Sequence, residues 1–339
     1  MAWTTTWSVT VDGKDVSSAL SNYLESITVT DKAGASSDSC SLKLDDTGGK
    51  IRLPQPGGSV MVRLDGVQVF TGIIDSVNSS GSRSSGRSLS VSAKGFDVNG
   101  KAKEPQRIHQ DEGTVGDFLK TLARKAGFDM KIDPALGSVV RDYIAADSES
   151  LLHIGEKLAR ELGATFKLRD TMAVLAKHGT DFGLPRIMGL FNTNGSGNLI
   201  SWDIEPVSTR AVFKQVTVPY FDWKEGLPKD FKTDSGAAGE KAEAVNLVRA
   251  PARDEDHARD IAEGRKQQIE REGGKGRVTL DLAPEAQAEA LFQLKGTRAG
   301  VDGSYRIVSV THKASRSGGA TTDLELQQPQ DGAGTDGRR

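Results

Sequence analysis

Two stretches more than two hundred residues apart share one plan, and that plan limits the fold more than any other feature of the chain. Val69 to Phe96 reads VFTGIIDSVNSSGSRSSGRSLSVSAKGF, and Asp302 to Leu326 reads DGSYRIVSVTHKASRSGGATTDLEL. Each is a strand with alternating apolar residues, a long Ser/Gly/Arg turn and a second alternating strand. Leu89, Val91 and Ala93 alternate in the first, and Thr322, Leu324 and Leu326 in the second. A chain that carries the same hairpin twice is expected to carry two similar β-rich units.

The rest of the first hundred residues fits such a unit. TTTWSVTVDGKDVS places Trp7, Val9 and Val11 on one face and turns at Asp12-Gly13. Alternating runs LESITVTDK and DSCSLKLDD follow, then a hairpin across Asp65-Gly66. Five or six short strands joined by polar turns predict a sandwich or a closed barrel. The 38 glycines among 339 residues supply the turns such a fold needs.

From about residue 101 the period changes to that of a helix. Thr114 is the expected N-cap of a stripe made by Val115, Phe118, Leu119, Leu122 and Ala126, closed by Gly127. Asp147 or Ser148 is the expected cap of a second helix, with Leu151, Leu152, Leu158 and Leu162 on one face and Gly163 at its end. LARKAGFDMKID and LARELGATFKLRD repeat one order: helix end, glycine, strand. This predicts a small α/β module over 101–182, closed by the hairpin ATFKLRDTMAVLAKHG.

Residues 183–330 return mostly to strands. RAVFKQVTVPYFDW reads as a strand that stops at Pro219, and part of 185–225 could complete the first β unit. DWKEGLPKDFKTDSGAAGEKAEAV reads as loop. One helix of about four turns follows, with Ala258, Ile261, Ala262, Arg265 and Ile269 toward the core. GKGRVTLDLAPE and ALFQLKG are strands, and the closing hairpin ends the pattern. Residues 331–339 have none and are expected to be disordered.

Little in the sequence points to chemistry. The formal net charge of −2 argues against a nucleic-acid binder, which gains affinity by neutralising phosphates. The five histidines, His109, His153, His178, His257 and His312, show no metal-ligand spacing. His153 is expected on a helix surface and His312 on a strand face with a local hydrogen bond. The glycine runs NTNGSGN and EGGKGR lack the order of a phosphate loop, and no G-x-S-x-G is present. Asp45-Asp46 reads as a turn and Asp254-Glu255-Asp256 as a helix start. Trp3, Trp7, Trp202 and Trp223 read as core or interface anchors. The single cysteine, Cys40, lies on an alternating strand and reads as a core thiol, so no intrachain disulfide forms. With no signal-peptide pattern and no apolar run of spanning length, the chain is expected to be soluble and cytoplasmic when made. No catalytic residue, cofactor or metal site is expected, and the protein is read as a non-enzyme.

Three stretches in order carry a family resemblance: ADSESLLHIGEKLARELGATFKLRD, HARDIAEGRKQQIEREGGKGRVTLDL and VDGSYRIVSVTHKASRSGGATTDLEL. Together they resemble the late control gene D family of contractile-tailed phages, the baseplate hub, which is similar to the N-terminal hub half of VgrG. The resemblance covers about residues 5–328. It implies a β-rich α+β fold: a first tail-tube-like β-barrel over 1–100, the small α/β module, and a second barrel with a long helix over 183–330. It further implies a homotrimer whose six barrels match a sixfold tail tube to a threefold spike. Its implied partners are the tail tube protein, a separate spike protein, the tape measure protein and baseplate wedge proteins. DNA would pass through the channel without specific binding, and the location would be the virion baseplate, assembled in the bacterial cytoplasm. The alternatives are a type VI-like secretion hub and a cell-wall hydrolase of the baseplate.

Overall fold

The computed structural model describes residues 3–34, 37–84, 86–96, 100–178, 183–192, 195–208, 213–235 and 242–338. The first unit opens with β1 (Trp7–Val11), which turns through Asp12 and Gly13, both at positive φ, into the short β2 (Lys14–Asp15). One helical turn, α1 (Ser17–Leu20), leads to β3 (Leu24–Lys32), β4 (Ser39–Asp45), β5 (Ser59–Leu64), β6 (Val67–Ser82) and β7 (Gly86–Lys94). Alternate side chains point inward, as the two-residue period requires. Val9, Leu24, Ile27, Leu44, Val62, Leu64, Phe70 and Leu89 share one core with Cys40. Six neighbouring strands of a single sheet enclose one core only when the sheet curls on itself, so this layer is barrel-like. Burial pushes the Cys40 thiol up to about 12, as fits a core thiol.

The α/β module runs through β8 (Gln106–Thr114), α2 (Val115–Lys125), β9 (Asp129–Ile132), α3 (Pro134–Gly137), β10 (Val140–Glu149), α4 (Leu151–Glu161), β11 (Ala164–Arg169) and β12 (Met172–Lys177). Thr114 caps α2, its Oγ1 accepting from the Asp117 N–H at 3.1 Å. The cap of α4 is Ser150, not Asp147 or Ser148: Ser150 Oγ accepts from the His153 N–H at 3.2 Å. Asp147 and Ser148 are drawn into β10, where Ser148 sits at φ 60° in a bulge between Asp147 and Glu149. The two LAR segments deliver β9 and β11 to one three-stranded sheet, in the order β11-β12-β9. Gly155 brings α4 against that sheet, since a Cβ there would lie 2.4 Å from the Phe166 ring.

The last part holds β13 (Ile187–Leu190), β14 (Leu199–Glu205), β15 (Gln215–Asp222), β16 (Leu227–Asp234), β17 (Val245–Leu247), α5 (Glu255–Arg271), β18 (Lys275–Asp281), β19 (Leu291–Lys295), β20 (Gly303–Ser315) and β21 (Gly319–Gln330). Strands β15, β16 and β17 form a separate sheet covered by Ala258, Ala262 and Ile269 of α5. Strand β15 therefore completes neither barrel. Nor does it stop at Pro219. Its carbonyl accepts from Ala252 N–H at 2.7 Å, on the side where β17 has already ended, so the missing proline N–H breaks no ladder bond. Part of the expected loop, Leu227–Asp234, is strand β16, while residues 236–241 of that stretch lie outside the described ones. Residues 331–338, expected to be disordered, turn back onto the second core. Gly334 N–H donates to Gly300 O at 2.9 Å, and Arg298 meets Asp336 at 3.3 Å.

The second core gathers β13, β14, β18, β19, β20 and β21 around Tyr305, Phe292, Leu280 and Leu324. These six strands repeat β1, β3, β4, β5, β6 and β7 in chain order and in neighbour order. The hairpins agree residue for residue. Ser82 faces Gly86 and Ser315 faces Gly319, and the two share a bulge, between Ile74 and Ser76 and between Ile307 and Ser309, while β20–β21 bulges again between Ser304 and Arg306. The match extends outward. Strand β3 bulges on β4 between Leu24 and Ser26, and β14 bulges on β18 between Leu199 and Ser201. One difference stands out: β1 lies antiparallel to β5, but β13 lies parallel to β19. The two halves fuse into one 13-stranded sheet because β20 outruns β19 and pairs with β3.

Candidate functional site: charged joints between the units

Several units converge on a few buried charges. Lys167, on β11 of the module, reaches Asp31 of β3, Asp38 Oδ1 at 3.0 Å and Lys32 O at 2.9 Å. Asp31 also accepts from the Ala288 N–H at 2.9 Å, in the loop before β19. One carboxylate thus joins both barrels to the module. Burial opposes its charge, but Lys167 and the Ala288 N–H outweigh burial and hold it below the usual carboxylate range. Asp38 goes the other way. Burial, with Asp31 beside it, pushes its carboxyl up to about 6.

A second joint centres on Glu289. Its Oε1 accepts from Thr165 of β11 at 2.9 Å and from Arg271, at the end of α5, at 3.0 Å. Its backbone oxygen accepts from Arg306 of β20 at 2.7 Å. Beside it lies a cavity of 270 Å³ lined by Arg160, His178, Arg271 and Glu289. Burial, then the positive charge of Arg271, lowers the His178 pKa to about 4. A third joint ties the module to α5 by Arg141 to Asp260 at 2.7 Å and His257 Nε2 to Glu161 at 3.3 Å.

Asp31, Asp38, Lys167, Glu289, Arg271, Arg141, Asp260, Glu161 and His257 each bond to a neighbouring unit, whereas His178 faces the cavity with a buried, unpartnered Nδ1. His257 and Glu161 also line a second cavity, of 630 Å³, beside Arg253 and Arg265. His109 stacks on Tyr143, and His153 is exposed beside Glu149 at 3.2 Å. His312 is buried on β20, its Nδ1 3.1 Å from Thr322 Oγ1. Among the described residues no three His, Cys, Asp or Glu side chains form a group able to hold a metal ion. Asp254 caps α5 through the His257 N–H at 2.8 Å, and Glu255 and Asp256 pair with Arg259. Trp3 and Trp7 pack against the first core, whereas Trp202 and Trp223 are exposed. Among the described residues no helix is long and apolar enough to cross a membrane. The joints themselves were invisible in the sequence, since their members lie up to 257 residues apart.

The fold defines a class, a β-rich α+β architecture also seen in solved phage tail proteins and in a type VI secretion system component. The 43 kDa tail protein of prophage MuSo2 from Shewanella oneidensis superposes with a TM-score of 0.73 at 15% identity, covering 95% of this chain and 98% of that one. The E. coli c3393 protein, a component of the type VI secretion system, gives 0.58 at 10% identity, covering 93% of this chain and 76% of that one. In sequence, the chain is similar to the probable baseplate hub protein of Escherichia phage 186, at 24% identity over 229 residues, 66% of this chain and 58% of that protein. It is also similar to the probable baseplate hub protein of Escherichia phage P2, at 22% over 226 residues, 64% of this chain and 57% of that protein. The matches therefore span less than two thirds of those relatives. No family model matches the chain.

Proposed function

We propose that this chain is a structural baseplate hub of a contractile phage tail or phage-like particle, and not an enzyme. The observation that carries the reading is the duplicated six-strand unit, alike in strand order, hairpin register and bulge position. Two like barrels per chain allow three chains to present six barrels, which matches a sixfold tube to a threefold spike. In this reading residues 1–100 are the first barrel, 101–182 the module, and 183–330 the second barrel, interrupted by the β15–α5 unit. The tube protein and a separate spike protein bind opposite faces of the trimer, with tape measure and wedge proteins as further neighbours. DNA passes through the channel without specific binding, for which a net charge of −2 is suited. Assembly takes place in the bacterial cytoplasm and the product resides in the virion baseplate.

Light scattering on the purified chain is expected to give three copies per particle, with an interface of about 2,000 Å² or more. A stable monomer at micromolar concentration would overturn the reading. The fold shared with a type VI component supports a second reading, the hub of a secretion spike. Neighbouring genes separate the two: sheath, tube and tape-measure genes mark a tail, and genes for an ATPase and a membrane complex mark a secretion system.

A further inference from the structure

Within one chain the two barrels are joined by a strand pair, and the duplication shows where the same joint is left open. Strand β20 pairs antiparallel with β3, Thr311 opposite Thr30, His312 opposite Val29, Lys313 opposite Thr28 and Ala314 opposite Ile27. The counterpart of β20 in the other barrel is β6, and the counterpart of β3 is β14. Neither counterpart has this partner. Strand β14 ends the sheet, bonded only to β18 among the described residues. Strand β6 leaves β5 at Ile73, and from Ser76 to Gly81 it is paired only with β7 among the described residues.

Burial follows the same logic. Val310, His312 and Ala314 are buried on β20, but their counterparts on β6 are a half-buried Val77 and an exposed Ser79 and Gly81. Ile27 and Val29 are 0% and 1% exposed on β3, whereas their counterparts are Trp202, 37% exposed, and a half-buried Ile204. Ala314 of β20 belongs to the first core, so this joint completes a core as well as a ladder. The β6 edge lacks the usual protection, whereas β14 carries exposed Asp203 and Glu205 and is followed by Pro206. Ser76–Gly81 contains no lysine or proline, and β14 exposes Ile200 and Trp202.

We propose that β14 of one copy pairs antiparallel with β6 of a second copy in the register of the internal joint. Asn78 would then face Glu205, Ser79 Ile204, Ser80 Asp203, and Gly81 Trp202. The sizes complement one another. Ala314 stands opposite Ile27 inside the chain, and Gly81, with no side chain, stands opposite the larger Trp202. Each copy carries one edge of each kind, so the contact is head-to-tail and repeats until it closes. That it closes at three copies rests on the hub reading; the register does not.

Paired cysteines test it in the full chain, where Cys40 is buried and does not compete. Ser80 and Asp203 are both exposed, so Ser80→Cys with Asp203→Cys leaves the folded monomer intact. Mild oxidation is expected to give bands at two and three chain masses that reductant removes. The pair Ser76→Cys with Asp203→Cys, displaced about 13 Å along the strand, is expected to give none. A trimer by light scattering that fails to cross-link at the first pair, or cross-links equally at the second, overturns this joint and leaves the hub reading standing. A monomer that cross-links at neither pair overturns both.

Discussion

His312 and Asp38 are single residues whose environments set opposite pH responses. His312 is buried, and its ring donates to the Ala286 carbonyl, so Nδ1 accepts from the Thr322 hydroxyl. That hydroxyl in turn accepts from the Ala283 N–H at 2.8 Å. Burial lowers the His312 pKa to about 4, below its ordinary 6.5. The folded state therefore binds this proton less tightly than the unfolded chain. Its stabilising contribution is complete above about pH 6.5 and is lost as pH falls toward 4. Between pH 6.5 and pH 5 the loss is about 1–2 kcal/mol, measurable by urea titration, and His312→Gln should flatten that slope. Asp38, raised to about 6, contributes stability that is complete below about 3.8 and is lost as pH rises through 6. Two carboxylates share one lysine there, so Asp38→Asn should raise stability at pH 7.5 by about 1–2 kcal/mol, with the gain fading toward pH 4. The alternation around Cys40 made its core position legible in sequence. The tautomer of His312 and the crowding of Asp38 were not, because their partners come from other strands.

Elements were legible where one face is apolar and the other wet. The hairpins β6–β7 and β20–β21 were readable down to the matched residues Leu89 with Thr322, Val91 with Leu324 and Ala93 with Leu326, because their strands alternate cleanly. Strands β8, β10 and β16 were missed because both of their faces carry polar residues, so the two-residue period is weak. The capture of Asp147 and Ser148 by β10 also displaced the expected cap of α4. The two LAR helices gave clear stripes and correct glycine stops. Their tightest constraint, Gly155 against Phe166, needed the third dimension. Gly155→Ala should cost about 1–3 kcal/mol in urea denaturation, because the ring or the helix must move. Ser150→Ala should cost about 1 kcal/mol through loss of the cap, and Asp147→Ala much less, which separates the true cap from the expected one.

On the scale of the whole molecule, the duplication was foreshadowed by two hairpins, but the way the halves are fastened was not. The buried charges couple the barrels, the module and α5 into one body. Lys167 is the sharpest case, since it stands where β3, the Ala288 loop and the module meet. Lys167→Met keeps the apolar stem and removes the charge, leaving Asp31 without its cation and Asp38 with Arg169 alone, at 4.0 Å. Removing one partner of a buried pair costs about 3–5 kcal/mol, because the stranded charge stays out of water. Calorimetry should then show a lower midpoint and a transition that broadens or splits as the module separates from the barrels. Lowering the pH to about 5 should restore part of the loss as the stranded carboxyls take up protons. Lys229 provides the contrast. It bridges Asp222 at 2.8 Å and Glu225 at 2.7 Å, but within a single hairpin and open to water. Lys229→Met should leave the midpoint and the single transition essentially unchanged. Equal effects from the two substitutions would mean that burial at the Lys167 junction adds nothing, and the module would then be held by the Glu289 joint and by the Arg141 and His257 contacts with α5.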